Sequence, residues 1–462
     1  MENVREIVLD TLLSLEREGG LSHQLIRGVL SKYDYLDPRD KKYLKRVTEG
    51  TLERQIELDH YLDHYSSVPV KKMKPLIRCL LRMSVYQLLY MDAIPDSAVC
   101  NEACKLAEKR KFHSLKGFVN GVLRKIAREK DHLPMPDPET DRLNWLRIKY
   151  SMPEELTKAW IDTYGEACTE RLLQALLEIH PVSLRIAAPS EEKEEVVRRL
   201  KEAGIEVVQS PYDANILLAR DVDGLENLPD FREGRITVQD VSSVLAVKQA
   251  GIKEGDLVVD ACAAPGGKSI LASELAGEAG HVICGDVSEK KTGAIMENIE
   301  RLGRKNIEVR VWDARELPEE LQGKADVLLL DVPCSGLGVI GKKRDIKYHV
   351  SKESFAEIEA LQKEILGKAW KAVKPGGILL YSTCTVREEE NRGAVRWILE
   401  NLPFDPVSLG EMTKEVNEAI AQERKSRRLP SDPWESCQAQ LLPGLLEADG
   451  FFFAKLRRRS DD

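Results

Sequence analysis

Two cysteines in this chain of 462 residues stand where they can react: Cys334 in LLLDVPCSG and Cys384 in LLYSTCTV. Each follows an apolar strand-like run and sits in a turn of Pro, Ser, Gly or Thr. A lone cysteine is more often a small buried hydrophobe in apolar surroundings. Transferring a methyl group to an amine or hydroxyl needs no thiol. A pyrimidine C5 does need one, because that carbon becomes nucleophilic only when a thiolate adds at C6 and pushes electron density onto it.

The donor of the group is suggested by DACAAPGGKS, residues 260–269, whose Gly-Gly-Lys-Ser ending imitates an ATP-binding phosphate loop. That loop requires GxxxxGK[ST]. Its first glycine would fall on position 262, which is Cys262, so the spacing fails. What remains is a strand running into a small-residue turn, Cys262, Ala263, Ala264, Pro265, Gly266 and Gly267, with Lys268 opening a helix. Backbone amides at such a helix start can approach a carboxylate as readily as a phosphate. Asp286, 19 residues after Gly267, is placed like the acid that takes ribose hydroxyls in dinucleotide folds, and Asp313 ends the next strand. Carboxylates repel phosphates and attract hydroxyls and amines. S-adenosylmethionine, with a ribose, an adenine amine, a sulfonium and no phosphate, fits these positions better than NAD or ATP.

These groups must be positioned by a larger frame, and a chain of this length suggests about three domains. Residues 1–130 read as helices, as in LIRCLLRMSVYQLLY, where apolar residues recur at three-and-four spacing. DHLPMPDPET, 131–140, marks a linker. Over 141–234 a helical segment is followed by PVSLRIAAP, EEKEEVVRRLKEAG, IEVVQSP and ANILLARDV, the strand, helix, strand and strand of a small α+β module. From 235 to 462 apolar strands alternate with helices, predicting a doubly wound, mainly parallel sheet. Ligands of such sheets collect at the C-terminal strand ends, where the acids and thiols lie.

With 42% hydrophobic and 32% charged residues, no membrane-length apolar run and an acid-bearing N-terminus unlike a secretory signal, the chain reads as soluble and cytoplasmic. Its nine cysteines form no CxxC pair, so neither a disulfide framework nor a metal site is expected. The net charge of −8 is unevenly spread. Residues 1–130 hold 24 Lys and Arg against 18 Asp and Glu, an excess of +6 that leaves −14 for the rest. The basic part is thus the helical part, which suits an RNA-binding face as well as an ordinary solvated helix surface.

DACAAPGGKS, DVPCSGLGV and YSTCTV are similar to the motifs of the RNA cytosine-C5 methyltransferases, and essentially the whole length resembles the bacterial small-subunit ribosomal RNA branch of that family. DPRDKKYLKRVTEGTLER and GFVNGVLRKI, within 1–130, look like its NusB-type RNA-binding domain, and DGFFFAKLRR like its closing strand. The resemblance implies an all-α domain, a ferredoxin-like α+β module and a Rossmann-like methyltransferase domain with a mainly parallel, seven-stranded sheet. It implies a monomer that uses S-adenosylmethionine on RNA, with the loop from Cys262 to Lys268, Asp286 at the ribose and Asp313 near the adenine. Asp331 would sit by the cofactor and the target base, Cys384 would be the nucleophile, and Cys334 would help release the product. DNA cytosine methyltransferases attack with the Pro-Cys cysteine instead, so two cysteines favour RNA; an amine methyltransferase would want [ND]PPY, which DVPC lacks. Two rivals are a tRNA-directed enzyme of the same chemistry and a non-catalytic NusB-type assembly factor.

Two positions depart from the family pattern. Arg344 stands where a proline is usual, in GKKRDIKYHV, and Ala187 replaces the asparagine of an LRVN-like strand. The basic run KKRDIK, 342–347, is read as a loop beside the site that contacts phosphate or as a solvated charge run.

Overall fold

Apolar spacing folds the first part of the chain into the helices Val4–Glu18, Ser22–Lys32, Pro38–Glu53, Gln55–Tyr65, Pro75–Tyr90, Asp96–Lys109 and Lys116–Glu129. Pro38 and Pro75 open their helices, where a missing N–H costs nothing, and the Asp37 side chain accepts the Arg39 N–H as a cap. Helix Pro75–Tyr90 is the hub: Cys79, Leu80, Leu81, Met83, Val85 and Leu88 are all buried. The computed structural model describes residues 3–18, 22–178, 180–187, 192–220, 222 and 224–460. Ala188, Pro189, Glu191 and Asp221, which the expected elements of the small module include, lie outside that set.

The chain divides into two units: Met1–Leu177 with Ile340–His349, and Glu178–Val339 with Val350–Asp462. Helices Arg142–Lys149 and Glu154–Ala175 fall within the first of these units. The cause is local bonding: Ser151 Oγ accepts the backbone N–H of Ile56 at 3.0 Å and the Arg54 guanidinium donates to the Lys149 carbonyl.

The reading of KKRDIK as a phosphate-contacting or solvated run is corrected for Arg344, Asp345 and Lys347, whereas Lys342 and Lys343 are exposed. Ile340–His349 is part of the helical unit, and Arg344, Asp345 and Lys347 are bonded there. Arg344 pairs with Glu49 at 2.6 Å and Glu53 at 2.9 Å. The Asp345 carboxylate accepts the N–H and hydroxyl of Ser22. Lys347, 1% exposed, donates to the carbonyls of Glu53 and Ser151 at 2.8 and 2.6 Å, and the Tyr348 hydroxyl donates to the Leu52 carbonyl. A guanidinium with two carboxylate partners gives Arg344 a reason to stand where the family has proline.

The second unit begins with a four-stranded antiparallel sheet of β1 (Val182–Ile186), β2 (Glu206–Gln209), β3 (Ile216–Arg220) and β4 (Ile236–Val238), in the order β2-β3-β1-β4. Helix Lys193–Glu202 covers one face through Val196 and Leu200. The sheet takes β4 from beyond residue 234, so this module ends later than the composition shift suggests. Ala187 follows β1, where its N–H donates to the Arg235 carbonyl and its methyl packs on the main core.

The main sheet contains β5 (Leu257–Asp260), β6 (His281–Asp286), β7 (Ile307–Val311), β8 (Ala325–Asp331), β9 (Val373–Thr383), β10 (Phe404–Pro406) and β12 (Phe451–Arg458), in the order β10-β12-β9-β8-β5-β6-β7. An eighth strand, β11 (Gln438–Leu441), pairs with β12. The five strands from β9 to β7 are parallel, whereas β12 runs antiparallel to β9. In β8, Val327 and Leu329 enter one core and Leu328 and Leu330 the other. A two-residue alternation between two apolar layers is what an unbroken apolar strand requires.

Candidate active site

Parallel register brings five strand ends to one edge. Asp260 is level with Cys284 and Leu329, Asp286 with Val311, and Asp331 with Ser382. The sequence-predicted site residues thus share this edge: the 262–268 loop follows β5, Asp286 ends β6, Asp313 follows β7, Asp331 ends β8 with Cys334 just beyond, and Cys384 follows β9.

The loop after β5 turns tightly. Gly266 has φ +99, a left-handed conformation that L side chains rarely adopt, and its N–H donates to the Ala263 carbonyl at 2.6 Å. Helix Gly267–Ala276 starts immediately after it. The Ala263 N–H donates to the Gly285 carbonyl, and the Ala264 N–H to Asp286 Oδ2 at 3.1 Å, so β6 holds the loop. Asp286 Oδ1 accepts the Val287 N–H and the Lys291 amine, both at 2.8 Å. The Gln239 side chain, just past β4, donates to the Gly267 carbonyl at 3.1 Å and accepts from Arg185 at 2.7 Å. The small module is therefore bonded to the first residue of the loop's helix.

The donor set fits S-adenosylmethionine. Asp260, Asp286 and Asp331 surround a loop of backbone amides and small side chains, and burial of Asp260 pushes its carboxyl up to about 6 despite the Ser269 hydroxyl it accepts. Such a concentration of acceptors suits ribose hydroxyls and an amine and disfavours phosphate. Cys262 is half-buried and its thiol is pushed upward by burial and by the neighbouring Asp260 and Asp286. Asp313 is engaged by Arg315, whose guanidinium and backbone N–H hold its carboxyl below the ordinary range.

Lys268 points across the edge to Asp331, Nζ to Oδ2 at 2.7 Å, and Ser382 Oγ donates to Oδ1 at 2.8 Å. Burial opposes the charge on Lys268, but the Asp331 carboxylate outweighs it and raises the amine above its usual value. One carboxylate is thereby fixed through both oxygens.

Beyond Asp331 the two thiols meet, with Cys334 Sγ 3.0 Å from Cys384 Sγ. Both are half-buried and free. The hydrogen bond to Cys384, burial and the nearby carboxyl groups of Glu390 and Asp331 raise the Cys334 thiol well above its usual value. The Gly338 N–H donates to the Cys384 carbonyl at 3.0 Å, and a Cβ on Gly338 would collide with the Gly450 carbonyl and lie 2.8 Å from the Cys384 carbonyl. Only glycine permits that approach.

Sequence reasoning missed Ser382, Lys291, Gln239, Gln362 and Glu390. Ser382 lay inside the quoted YSTCTV, a polar residue at a strand end, and could have been found. Glu390 belongs to REEEN, a charge run that reads as solvated although Glu390 and Asn391 are fully buried. Among the described residues no His, Cys, Asp or Glu cluster is arranged to hold a metal ion, and no helix is long and apolar enough to cross a membrane.

Comparison with known proteins agrees with this geometry. The family described as 16S rRNA methyltransferase RsmB/F matches residues 249–457, the NusB family 2–128, and the ferredoxin-like domain of RsmF/B-like methyltransferases 152–223. The chain is 34% identical over 461 residues, 99% of each chain, to the probable ribosomal RNA small subunit methyltransferase B of Bacillus subtilis (strain 168). It is 32% identical over 424 residues, 91% of each, to ribosomal RNA small subunit methyltransferase B of Klebsiella pneumoniae (strain 342). The crystal structure of PH0851 matches 98% of each chain with 27% identity and a TM-score of 0.77.

Proposed function

The chain belongs to the RsmB/F family of S-adenosylmethionine-dependent 16S rRNA methyltransferases, and from that premise we propose that it methylates C5 of one cytosine in small-subunit ribosomal RNA through a covalent adduct between Cys384 and C6. The observation that carries this reading is the pair of thiols 3.0 Å apart on the strand edge that also bears the cofactor loop. When bound, S-adenosylmethionine supplies an electrophilic methyl on its sulfonium. The 262–268 loop and Asp286 bind it at the ribose and methionine groups, with Asp313 at the adenine.

The Cys384 thiolate adds to C6, and the electron pair of the C5–C6 bond moves onto C5 and the ring. Asp331, locked by Lys268 and Ser382, hydrogen-bonds the activated base near N3 or N4. C5 takes the methyl, a base removes the C5 proton, and the returning electron pair expels Cys384 sulfur. Cys334, whose sulfur lies 3.0 Å from that of Cys384, delivers a proton to the departing thiolate. The cytosine enters single-stranded or flipped from its stack, because C6 is not reachable inside a helix.

Bisulfite sequencing of ribosomal and transfer RNA from cells lacking the gene tests this reading. One 16S cytosine is expected to lose its protection from conversion and to regain it on complementation. Loss of protection in tRNA alone would assign the chemistry to the other substrate, and no change in either RNA would refute a C5 activity.

A further inference from the structure

Glu390 is fully buried, lies beside the thiols and has no part in the reaction as described. Its Oε2 accepts the backbone N–H of Ser335 at 2.9 Å and the side-chain amide of Gln362 at 3.0 Å. The same Gln362 nitrogen donates to the Pro333 carbonyl at 2.9 Å. The two residues that flank Cys334 are therefore tied to one carboxylate and one amide. A further bond joins the two thiol turns, Ser335 Oγ to Thr385 Oγ1 at 2.8 Å. Glu390 is itself fixed, since its carbonyl accepts the buried Tyr381 hydroxyl at 2.6 Å.

A turn residue after a strand has no ladder to fix its backbone, and a displacement of about 1 Å at a reacting group can cost on the order of 100-fold in rate. We infer that Glu390 and Gln362 are positioning residues that clamp the Cys334 turn on both sides and thereby hold its thiol against Cys384 for product release. The inference rests on the reading of Cys334 as the release group. The clamp itself is a matter of geometry that can be measured without RNA.

The test uses the full chain carrying Glu390→Ala, Glu390→Gln or Gln362→Ala, with both thiols present. Diamide is the probe: two thiols lose two protons and two electrons, a 334–384 disulfide forms, and the azo bond is reduced to the hydrazide. The rate is read by mass spectrometry of the linked peptides. Glu390→Ala and Gln362→Ala are expected to slow pairing by about tenfold or more, and Glu390→Gln, which keeps an acceptor for the Ser335 N–H, recovers most of the wild-type rate. Wild-type pairing in both alanine variants overturns the clamp. A second readout is the SDS-resistant protein–RNA adduct. Glu390→Ala is expected to raise it about tenfold while methyl transfer in the first turnover stays within about threefold of wild type. A Cys334→Ala protein that accumulates no adduct refutes the release reading and leaves the clamp to be judged on pairing alone. Should Glu390→Ala fail to fold, Gln362→Ala, which frees the Pro333 carbonyl but leaves Ser335 bonded, carries the test with the same outcomes.

Discussion

Cys334 Sγ and Cys384 Sγ share one hydrogen bond at 3.0 Å although 50 residues separate them in the chain. Adjacent parallel strands β8 and β9 deliver them to the same edge of the sheet.

The proposed roles of nucleophile and release group predict opposite phenotypes. Cys384→Ala is expected to lower methyl transfer to ribosomal RNA by about 10³-fold or more, as removal of a nucleophile does. Cys334→Ala is expected to transfer the methyl once and then accumulate slowly resolving adduct on a denaturing gel. Full activity of Cys384→Ala with radiolabelled S-adenosylmethionine would sink the covalent reading.

Asp286 sits where β6 meets the loop, bonded to Ala264 and Lys291. Asp286→Ala should weaken S-adenosylmethionine by roughly 10- to 100-fold, the value of about 1.5–3 kcal/mol for a hydrogen bond to a charged group, and leave RNA affinity close to wild type. Unchanged cofactor affinity by calorimetry removes the ribose assignment.

The helical unit should show a pH signature of Lys347. Burial pushes this amine down to about 7, with Glu53 opposing the shift and Arg54 and Arg344 adding to it; in the unfolded chain it titrates near about 10.4. Between those values the unfolded chain binds a proton that the folded chain does not, so stability rises with pH across this window and is lowest below it. Urea midpoints at pH 6.5 and pH 9 are expected to differ in the parent by more than in Lys347→Met. An identical difference in both proteins would contradict the depressed amine.

The sequence made the cofactor loop and strand-end acids legible because both are local signals: a strand, a small-residue turn and a helix within ten residues, then one acid per strand end. Cys334 and Cys384 stood out because their turns are polar. What stayed hidden depends on distant partners. Nothing near Arg344 announces Glu49 and Glu53, some 290 residues earlier, so KKRDIK reads as a free basic run. REEEN gives no sign that its Glu390 turns inward to Ser335 and Gln362. Short strands were missed for another reason: β4 and β10 carry three residues each, too few for alternation to register.

The excursion Ile340–His349 has a consequence for dissection of the protein. It leaves the catalytic unit after Val339 and re-enters it at Val350, so the peptide chain passes between the units three times. A truncation after Leu177 cuts one of those passages and leaves Arg344, Lys347 and Tyr348 attached to the catalytic fragment without the carboxylates and carbonyls that satisfy them. A separable catalytic fragment also needs residues 340–349 removed, with cuts after Val339 and before Val350 and those two ends joined.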